Sequence, residues 1–294
     1  MTPPTEPRLS VVIVNYNTRD LLRACLMSLE AQPTPVEIIV VDNASPDGSA
    51  DMVRAEFPSV RLLAQKINMW FCGGNNIGIA AATCDYVLLL NPDTEVAPDA
   101  LGQMLAFMDA HPQYAGCTAR LVYPDGQTQR TCSAEATSGY LYANHTPLGW
   151  LRPGWRRRLN ARHWYGDWQR DHDRDVAVVP GSCTLMRRAD IHLDESLLLY
   201  FPEDDLARRV RAPFRFLAGA RITHHEQAAT RSWLATRIYY RDLLVYTRKH
   251  HGWLAMAGLW LLSRPLYWAM ALKQRLTGRA GRGTSAPNSA ISQN

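Results

Sequence analysis

Over residues 9–110 the chain alternates between two hydrophobic rhythms. Short unbroken apolar runs at residues 9–14 (LSVVIV), 37–42 (EIIVVD), 60–65 (VRLLAQ) and 86–90 (YVLLL) predict strands, the runs too continuous for a sheet with one wet face. Between them the apolar positions take helical spacing. Leu21, Leu22, Cys25, Leu26 and Leu29 form one face of a helix through about Glu30, with Thr18 or Asn17 as its cap. A second helix is expected from about Ser49 to Glu56, a small-residue helix after NMWFCGGNNIG, and a further one near Asp99 to Ala110. Strand and helix thus alternate four times across short connections, the signature of an α/β, doubly wound, mostly parallel sheet flanked by helices.

Beyond this the pattern changes. GCTARLVYPDGQTQR reads as a hairpin, and residues 133–175 lack periodicity and are rich in Trp, Arg, His and Gly. They are expected to form a long, acceptor-facing loop region. VAVVPGSCTLMRRADI returns to strand, turn, strand and short helix, DESLLLYFPEDDLARRVR enters a helix at its acidic cluster, and RFLAGARITHHE is the last strand. Helix is expected from about Ala228 to Leu276, and a disordered Gly/Ser/Asn/Ala tail over 277–294.

Polar clusters sit where strands end: Asp42-Asn43, Asn91 to Asp93, Glu203-Asp204-Asp205 and His224-His225. Each alone also suits a turn, a helix cap or a surface position. Together, at the carboxyl ends of a parallel sheet, they converge where open α/β sheets bind ligands. Carboxylate, amide and imidazole there suit Mg²⁺ or Mn²⁺ with a diphosphate as the remaining partner, and an acid not used on the metal could serve as general base. FCGGNNIG is neither a dinucleotide fingerprint nor a Walker A loop, and a helix-capping turn explains it equally well.

SVVIVNYNT, VVDNASPDGS, INMWFCGGNNIG, LLLNPDTEV, PGSCTLMRRADI, LDESLLLYFPEDDLARRVR and THHEQAATRS follow one another in an order that resembles family 2 glycosyltransferases. The subgroup resembled is the bacterial rhamnosyltransferase-like enzymes of surface polysaccharide synthesis, over roughly residues 9–252. The resemblance implies a GT-A fold, Rossmann-like, over residues 1–227. By the same resemblance Tyr16 lies against a pyrimidine and Asp42 accepts its N3–H, with Asn17 and Asn43 alongside. Asn75 and Asn76 stand beside the donor, Asn91 and Asp93 occupy the D-x-D positions, and Asp93 and His224 hold the metal. Relatives read Y-F-E-D-x-D-L where this chain has Tyr200-Phe201-Pro202-Glu203-Asp204-Asp205-Leu206. Aligned without a gap the catalytic base falls on Glu203; with a one-residue shift it falls on Asp204. The implied reaction is an inverting transfer of a sugar such as rhamnose from a dTDP- or UDP-sugar to a glycan or polyprenyl-diphosphate-linked acceptor. Pro202 in the base motif also leaves room for a nucleotide-binding scaffold that has lost catalysis, and a nucleotidyltransferase is the nearest enzymatic rival.

Composition narrows the setting. The apolar fraction of 47% allows a sizeable core, and the six cysteines form no C-x-x-C pair, so neither a disulfide framework nor a zinc site is expected. After Glu226 ten Lys or Arg face one acid, Asp242, a net +9; the whole chain is +5, which leaves −4 for residues 1–226. The acidic clusters argue against nucleic acid as the partner. WLAMAGLWLLSRPLYWAMALKQRL (253–276) is apolar but interrupted at Ser263-Arg264-Pro265, too short before that break to span a bilayer. Its aromatic residues and following cations suit a membrane interface, with packing on the domain, a homodimer or a single span as alternatives. MTPPTEPRLS has no apolar leader region, so the expectation is a cytoplasmic protein peripheral to the inner membrane.

Overall fold

The computed structural model describes residues 6–226 and 233–280, with side chains as far as Gln274. The first half runs β1 (Leu9–Asn15), α1 (Arg19–Glu30), β2 (Val36–Asp42), α2 (Ser49–Glu56), β3 (Arg61–Ala64), α3 (Trp70–Ala81), β4 (Tyr86–Leu90), β5 (Thr94–Val96) and α4 (Ala100–Ala110). Then come β6 (Gly116–Val122), α5 (Ser138–His145), α6 (Leu148–Leu151), α7 (Pro153–His163), β7 (Arg174–Val176) and β8 (Cys183–Arg187). Last are α8 (Pro202–Val210), β9 (Phe214–His224), α9 (Trp233–His251) and α10 (Trp253–Ala280).

One sheet has the order β3-β2-β1-β4-β8-β6-β9-β5, with β7 also on β9. β3, β2, β1 and β4 are mutually parallel, and β6 runs parallel to β9. β8 enters antiparallel between β4 and β6, and β5 and β7 pair antiparallel with β9. The unbroken apolar runs follow from burial on both faces. In β4, Leu88 and Leu90 face the core under α1 and α4, whereas Val87 and Leu89 face the core shared with α8 and α9.

Several expectations are corrected. Thr18 stands at the cap position of α1, but its hydroxyl donates to Asn15 Oδ1 (2.6 Å); the Arg19 N–H is taken by Asp47 Oδ2 (2.9 Å) from the next loop. Residues 133–175 are not an open loop but carry α5, α6, α7 and β7. Their local signals are terminal: Thr137 Oγ1 accepts the Tyr140 N–H (3.2 Å), and Pro153 opens α7. α7 buries only His163, so it has no apolar stripe to read. The GCTARLVYPDGQTQR hairpin shrinks to β6, a tight turn at Tyr123–Gly126 and one bridge from Val122 to Thr128. α10 runs through Ser263-Arg264-Pro265 instead of breaking there, with Arg264 lying over the Trp260 and Tyr267 rings at 5.1 and 5.0 Å. No helix among the described residues is long and apolar enough to cross a membrane. The expected disordered tail falls mostly on 281–294, outside the described residues, while 277–280 continue α10.

α3 packs its glycine face directly on the strands. A Cβ at Gly78 would run into Val12 Cγ1 and lie 3.3 Å from Val41 Cγ2. Gly78→Ala should therefore destabilise the fold by about 1–3 kcal/mol through overpacking, outweighing the roughly 1 kcal/mol that Ala brings to a helix interior. A denaturant midpoint unchanged or raised in this variant would show that the helix can lift without cost.

Candidate active site

β1 and β2 end in register, with Asn15 paired to Asp42. Asp42 is buried, its Oδ1 accepting from Asn15 Nδ2 (2.8 Å) and its Oδ2 from the Ser45 N–H (3.0 Å). Each oxygen retains a lone pair for one more donor. Tyr16, next in the chain, is 48% exposed, and Asn17 takes a left-handed φ of 58° with its N–H on Ser45 Oγ (3.0 Å). An aromatic ring beside a buried acceptor is thus displayed at this edge.

Three other amides predicted for the donor are spent inside the fold. Asn43 accepts the Met69 N–H (3.3 Å) and donates to Trp70 O (3.0 Å), and Asn75 donates to Phe71 O (2.9 Å). Asn76 donates to Leu193 O (2.8 Å) and Glu195 Oε1 (2.9 Å) and accepts the Leu193 N–H (2.9 Å). Asn43 thereby latches the loop before α3 and Asn76 the segment before α8, while the Asn75 bond stays within α3.

Asp93 and His224 meet because β5 pairs with β9, with Thr94 opposite His224. His224 Nε2 lies 3.4 Å from Asp93 Oδ1, and the His225 N–H donates to Asp93 O (2.9 Å). Gln129 fixes the imidazole from behind: its Nε2 donates to His224 O (2.7 Å), which turns its Oε1 towards His224 Nδ1 (2.9 Å). With that amide orientation Nδ1 donates to Gln129 Oε1, and Nε2 faces the carboxylate. Asn91, at the first D-x-D position, is held by its N–H on Ser182 O (3.1 Å), and its carbonyl accepts from Thr94 Oγ1 (2.7 Å).

Glu203 and Asp204 stand in the first turn of α8. Phe201 before it is left-handed (φ 67°), and Pro202 opens the helix, where a missing N–H costs nothing. Pro202 is thus explained by the backbone alone. Glu203 Oε1 accepts the Gly181 N–H (3.0 Å), and a Cβ at Gly181 would collide with that oxygen. Burial pushes the Glu203 carboxyl above its usual range. Asp204 is pushed up to about 7, first by burial and then by the charge of Glu203, against the Ala136 amide and Arg208. Its buried Oδ1 has no hydrogen-bond partner. Asp205 turns away: Arg209 Nε and His250 Nε2 donate to it (both 2.8 Å) and Lys249 pairs with it, tying α8 to α9.

A cavity of about 360 Å³ brings Glu203 and Asp204 together with His224, and Gln129, Arg130 and Ser182 are among its other walls. Four contributors escaped the sequence reading. Asn15 and Gln129 hold Asp42 and His224, and Arg130 brings a cation to the cavity, lying 5.7 Å over the Trp164 ring. The fourth, Asp242, is fully buried on α9; its Oδ2 accepts the N–H groups of Leu198, Leu199 and Tyr200 (3.0, 2.8 and 3.0 Å). A single acid in a basic, apolar segment was the signal available for it. No cluster of three or more His, Cys, Asp or Glu side chains fit to hold a metal occurs among the described residues.

The family model for glycosyl transferase family 2 matches residues 10–192, more than half of the chain. The chain belongs to glycosyl transferase family 2. This glycosyltransferase is 26% identical, over 92% of its length and 93% of the relative's, to N-acetylglucosaminyl-diphospho-decaprenol L-rhamnosyltransferase of Mycobacterium tuberculosis. It is 31% identical to the succinoglycan biosynthesis protein ExoO of Rhizobium meliloti, over 54% of this chain and 51% of that one. Among solved structures it resembles the mannosyltransferase PcManGT of Pyrobaculum calidifontis, in complex with GDP-Man and Mn²⁺, with a TM-score of 0.53, 17% identity and coverage of 96% and 78%. S. aureus TarS 1-349 gives 0.52 at 15% identity, covering 87% and 78%. These solved structures establish the GT-A fold.

The Asp204 environment has a consequence for stability. A carboxyl whose pKa rises from about 3.9 unfolded to about 7 folded makes the folded state bind more protons between those values, so its contribution falls as pH rises through that window. Asp204→Asn removes this dependence. Its melting temperature should gain on the wild type progressively from about pH 4 to about pH 8. Melts that run parallel across this range would contradict the buried environment of Asp204.

Proposed function

We propose that this glycosyltransferase moves a sugar of the rhamnose type, with inversion, from a dTDP- or UDP-sugar to a polyprenyl-diphosphate-linked saccharide in bacterial surface-glycan synthesis. The observation that carries the reading is the cavity in which Asp204, with an unpartnered buried oxygen, opens into the same space as His224, itself set against Asp93. The name of the mycobacterial relative supports the sugar and the lipid-linked acceptor.

The pyrimidine would lie against Tyr16 with its N3–H on Asp42, and the diphosphate beside Asp93 and His224, with Arg130 adding a cation. The oriented imidazole nitrogen of His224 facing the Asp93 carboxylate is a donor set that fits Mg²⁺ or Mn²⁺, ions that take few protein ligands and complete their shell with phosphate oxygens and water. When bound, such an ion supplies charge neutralisation to the departing diphosphate. The acceptor hydroxyl gives its proton to Asp204 as its oxygen attacks the anomeric carbon. The bond from that carbon to the diphosphate oxygen breaks on the opposite face, and the configuration inverts. Asp204 suits the base role better than Glu203, whose Oε1 is held by the Gly181 N–H.

α10 supports a peripheral membrane position near such an acceptor. Trp253, Leu254, Trp260, Leu261, Trp268 and Leu272 are exposed along it, with Lys273 following.

Transfer assays test the assignment. Asp204→Asn should lose about 10²–10⁴-fold in turnover while binding UDP or dTDP nearly as well as wild type, Glu203→Gln should lose less, and Asp93→Ala should lose both transfer and donor hydrolysis. The wild-type rate should rise with pH to a limb near 7, where Asp204 ionises. A larger loss in Glu203→Gln than in Asp204→Asn would move the base to Glu203. On flotation with anionic liposomes, the full chain should rise with the vesicles and a chain ending at Gly252 should not; equal behaviour of the two removes the membrane role of α10.

A further inference from the structure

Among the described residues, Trp150 and Leu151 are the one adjacent pair of exposed large apolar side chains outside α10, at 64% and 76% exposure. Local packing turns them outward. α6 seats on α5 at Gly149, where a Cβ would run into Ala143 O, and Pro147 and Pro153 bracket the short helix. The next two side chains are left to solvent.

α7 has two faces of different chemistry. Leu159 and Trp155 lie towards α5, 3.6 and 3.8 Å from where a Cβ on Gly139 would stand, and Arg156 Nε donates to Asn144 Oδ1 (3.1 Å). The other face presents Arg157, Arg158 and Arg162, and Arg152 stands exposed at the corner between α6 and α7. Residues 136–166 hold five arginines and no acid. The acids on either side are engaged elsewhere, Glu135 with Arg208 (3.3 Å) and Asp167 with Arg174 (3.2 Å). Among the described residues Arg152, Arg157, Arg158 and Arg162 enter no salt bridge. Complementing the helix dipole explains Arg162 alone, in the last turn of α7.

Unpaired cations beside an exposed Trp and Leu have the chemistry of a membrane surface. The apolar pair suits the headgroup boundary, and the guanidinium groups suit lipid phosphates. A nucleic acid would engage the arginines and leave Leu151 in water. α5 links this patch to α10: the Tyr142 hydroxyl donates to Ala255 O (2.7 Å), while Ala143 and Gly139 meet α6 and α7. Trp164, next after α7, lines the 360 Å³ cavity.

We propose that residues 148–162 form a second membrane anchor, in which Trp150 and Leu151 enter the headgroup boundary and the four unpaired arginines bind phosphates of anionic phospholipids. The proposal deepens the membrane position read from α10 by naming the lipid: α10 supplies apolar area, and α6 with α7 supplies selectivity for negative charge. A single helix leaves the protein free to roll about its axis. Two contacts fix how the cavity beside Trp164 faces the bilayer.

The test uses the full chain with Leu151→Cys carrying the polarity-sensitive NBD fluorophore; all six native cysteines are buried. Vesicles are phosphatidylcholine alone or mixed with phosphatidylglycerol. Emission from position 151 should shift to the blue on the mixed vesicles and much less on phosphatidylcholine. The same label at Met27→Cys, on α1 across the sheet, should not respond. Arg157→Gln/Arg158→Gln/Arg162→Gln should weaken binding to the mixed vesicles about 100-fold, with an unchanged melting temperature because all three side chains are exposed. A silent probe at 151 on vesicles that the protein does bind leaves anchoring to α10 and overturns the second anchor. So does an arginine variant that binds the mixed vesicles as well as wild type. If the probe responds while Trp260→Ser/Trp268→Ser on α10 binds unchanged, the role of α10 falls and this anchor stands, so the two readings fail separately. Wild-type protein that binds no anionic vesicle overturns both; a single-stranded oligonucleotide bound by wild type and lost in the arginine variant would then assign the patch to nucleic acid.

Discussion

Antiparallel pairing between the three residues of β5 and the end of β9 is the constraint on which the site depends. A strand this short has too few ladder bonds to stand alone. One edge is completed by β9, and α1 satisfies the other: Ser28 Oγ accepts the Val96 N–H (3.0 Å) and Gln32 Nε2 donates to Val96 O (3.1 Å). With both edges occupied, the turn after β4 has one position available, and it sets Asp93 against His224. The same pairing explains why a carboxylate follows so apolar a strand. β4 is buried on both faces, and Asp93, three residues beyond it, carries the first charge after the strand and meets His224.

A second arrangement places the base. Asp242 gathers three consecutive N–H groups at 198–200, so the chain enters α8 on a fixed path through the left-handed Phe201. Asp205, held by Arg209, Lys249 and His250, fixes the rotation of α8 about its axis. Glu203 and Asp204 then line the cavity. Burying Glu203 and Asp204 side by side is locally costly, and the surrounding core of Leu197, Leu206, Leu243 and Tyr246 supplies the stability that maintains it. The cost is also what raises Asp204 into the range where a base can work at neutral pH.

The two halves of the molecule differ in how plainly their sequence speaks. In β1, β2 and β4 the apolar run is buried over Leu9–Ile13, Ile38–Val41 and Tyr86–Leu90, so composition alone marks them. α1 is equally plain, its stripe of Leu22, Cys25, Leu26 and Leu29 lying against the sheet. α5 and α7 gave no such sign, because they pack on each other, α5 burying only Leu141, Ala143 and His145 and α7 only His163, with four arginines on α7. A helix stabilised through one or two buried rings has no period to detect.

By itself the sequence determined the alternation of strands and helices, the parallel start of the sheet, the polar strand ends, and, through their order, the family. These are local quantities, set by burial periodicity and by where an apolar run stops. The tertiary structure decided which of those polar residues meet. It paired Asp93 with His224 across 130 residues of chain, turned the amides of Asn43 and Asn76 inward as latches, and recruited Gln129 and Asp242 as supports. It also separated Glu203, held by a backbone N–H, from Asp204, one oxygen of which is buried without a partner. Neighbouring carboxylates look alike in a sequence. Their difference arises from desolvation and hydrogen bonding by groups remote along the chain, which exist only once the sheet, α8 and α9 have come together.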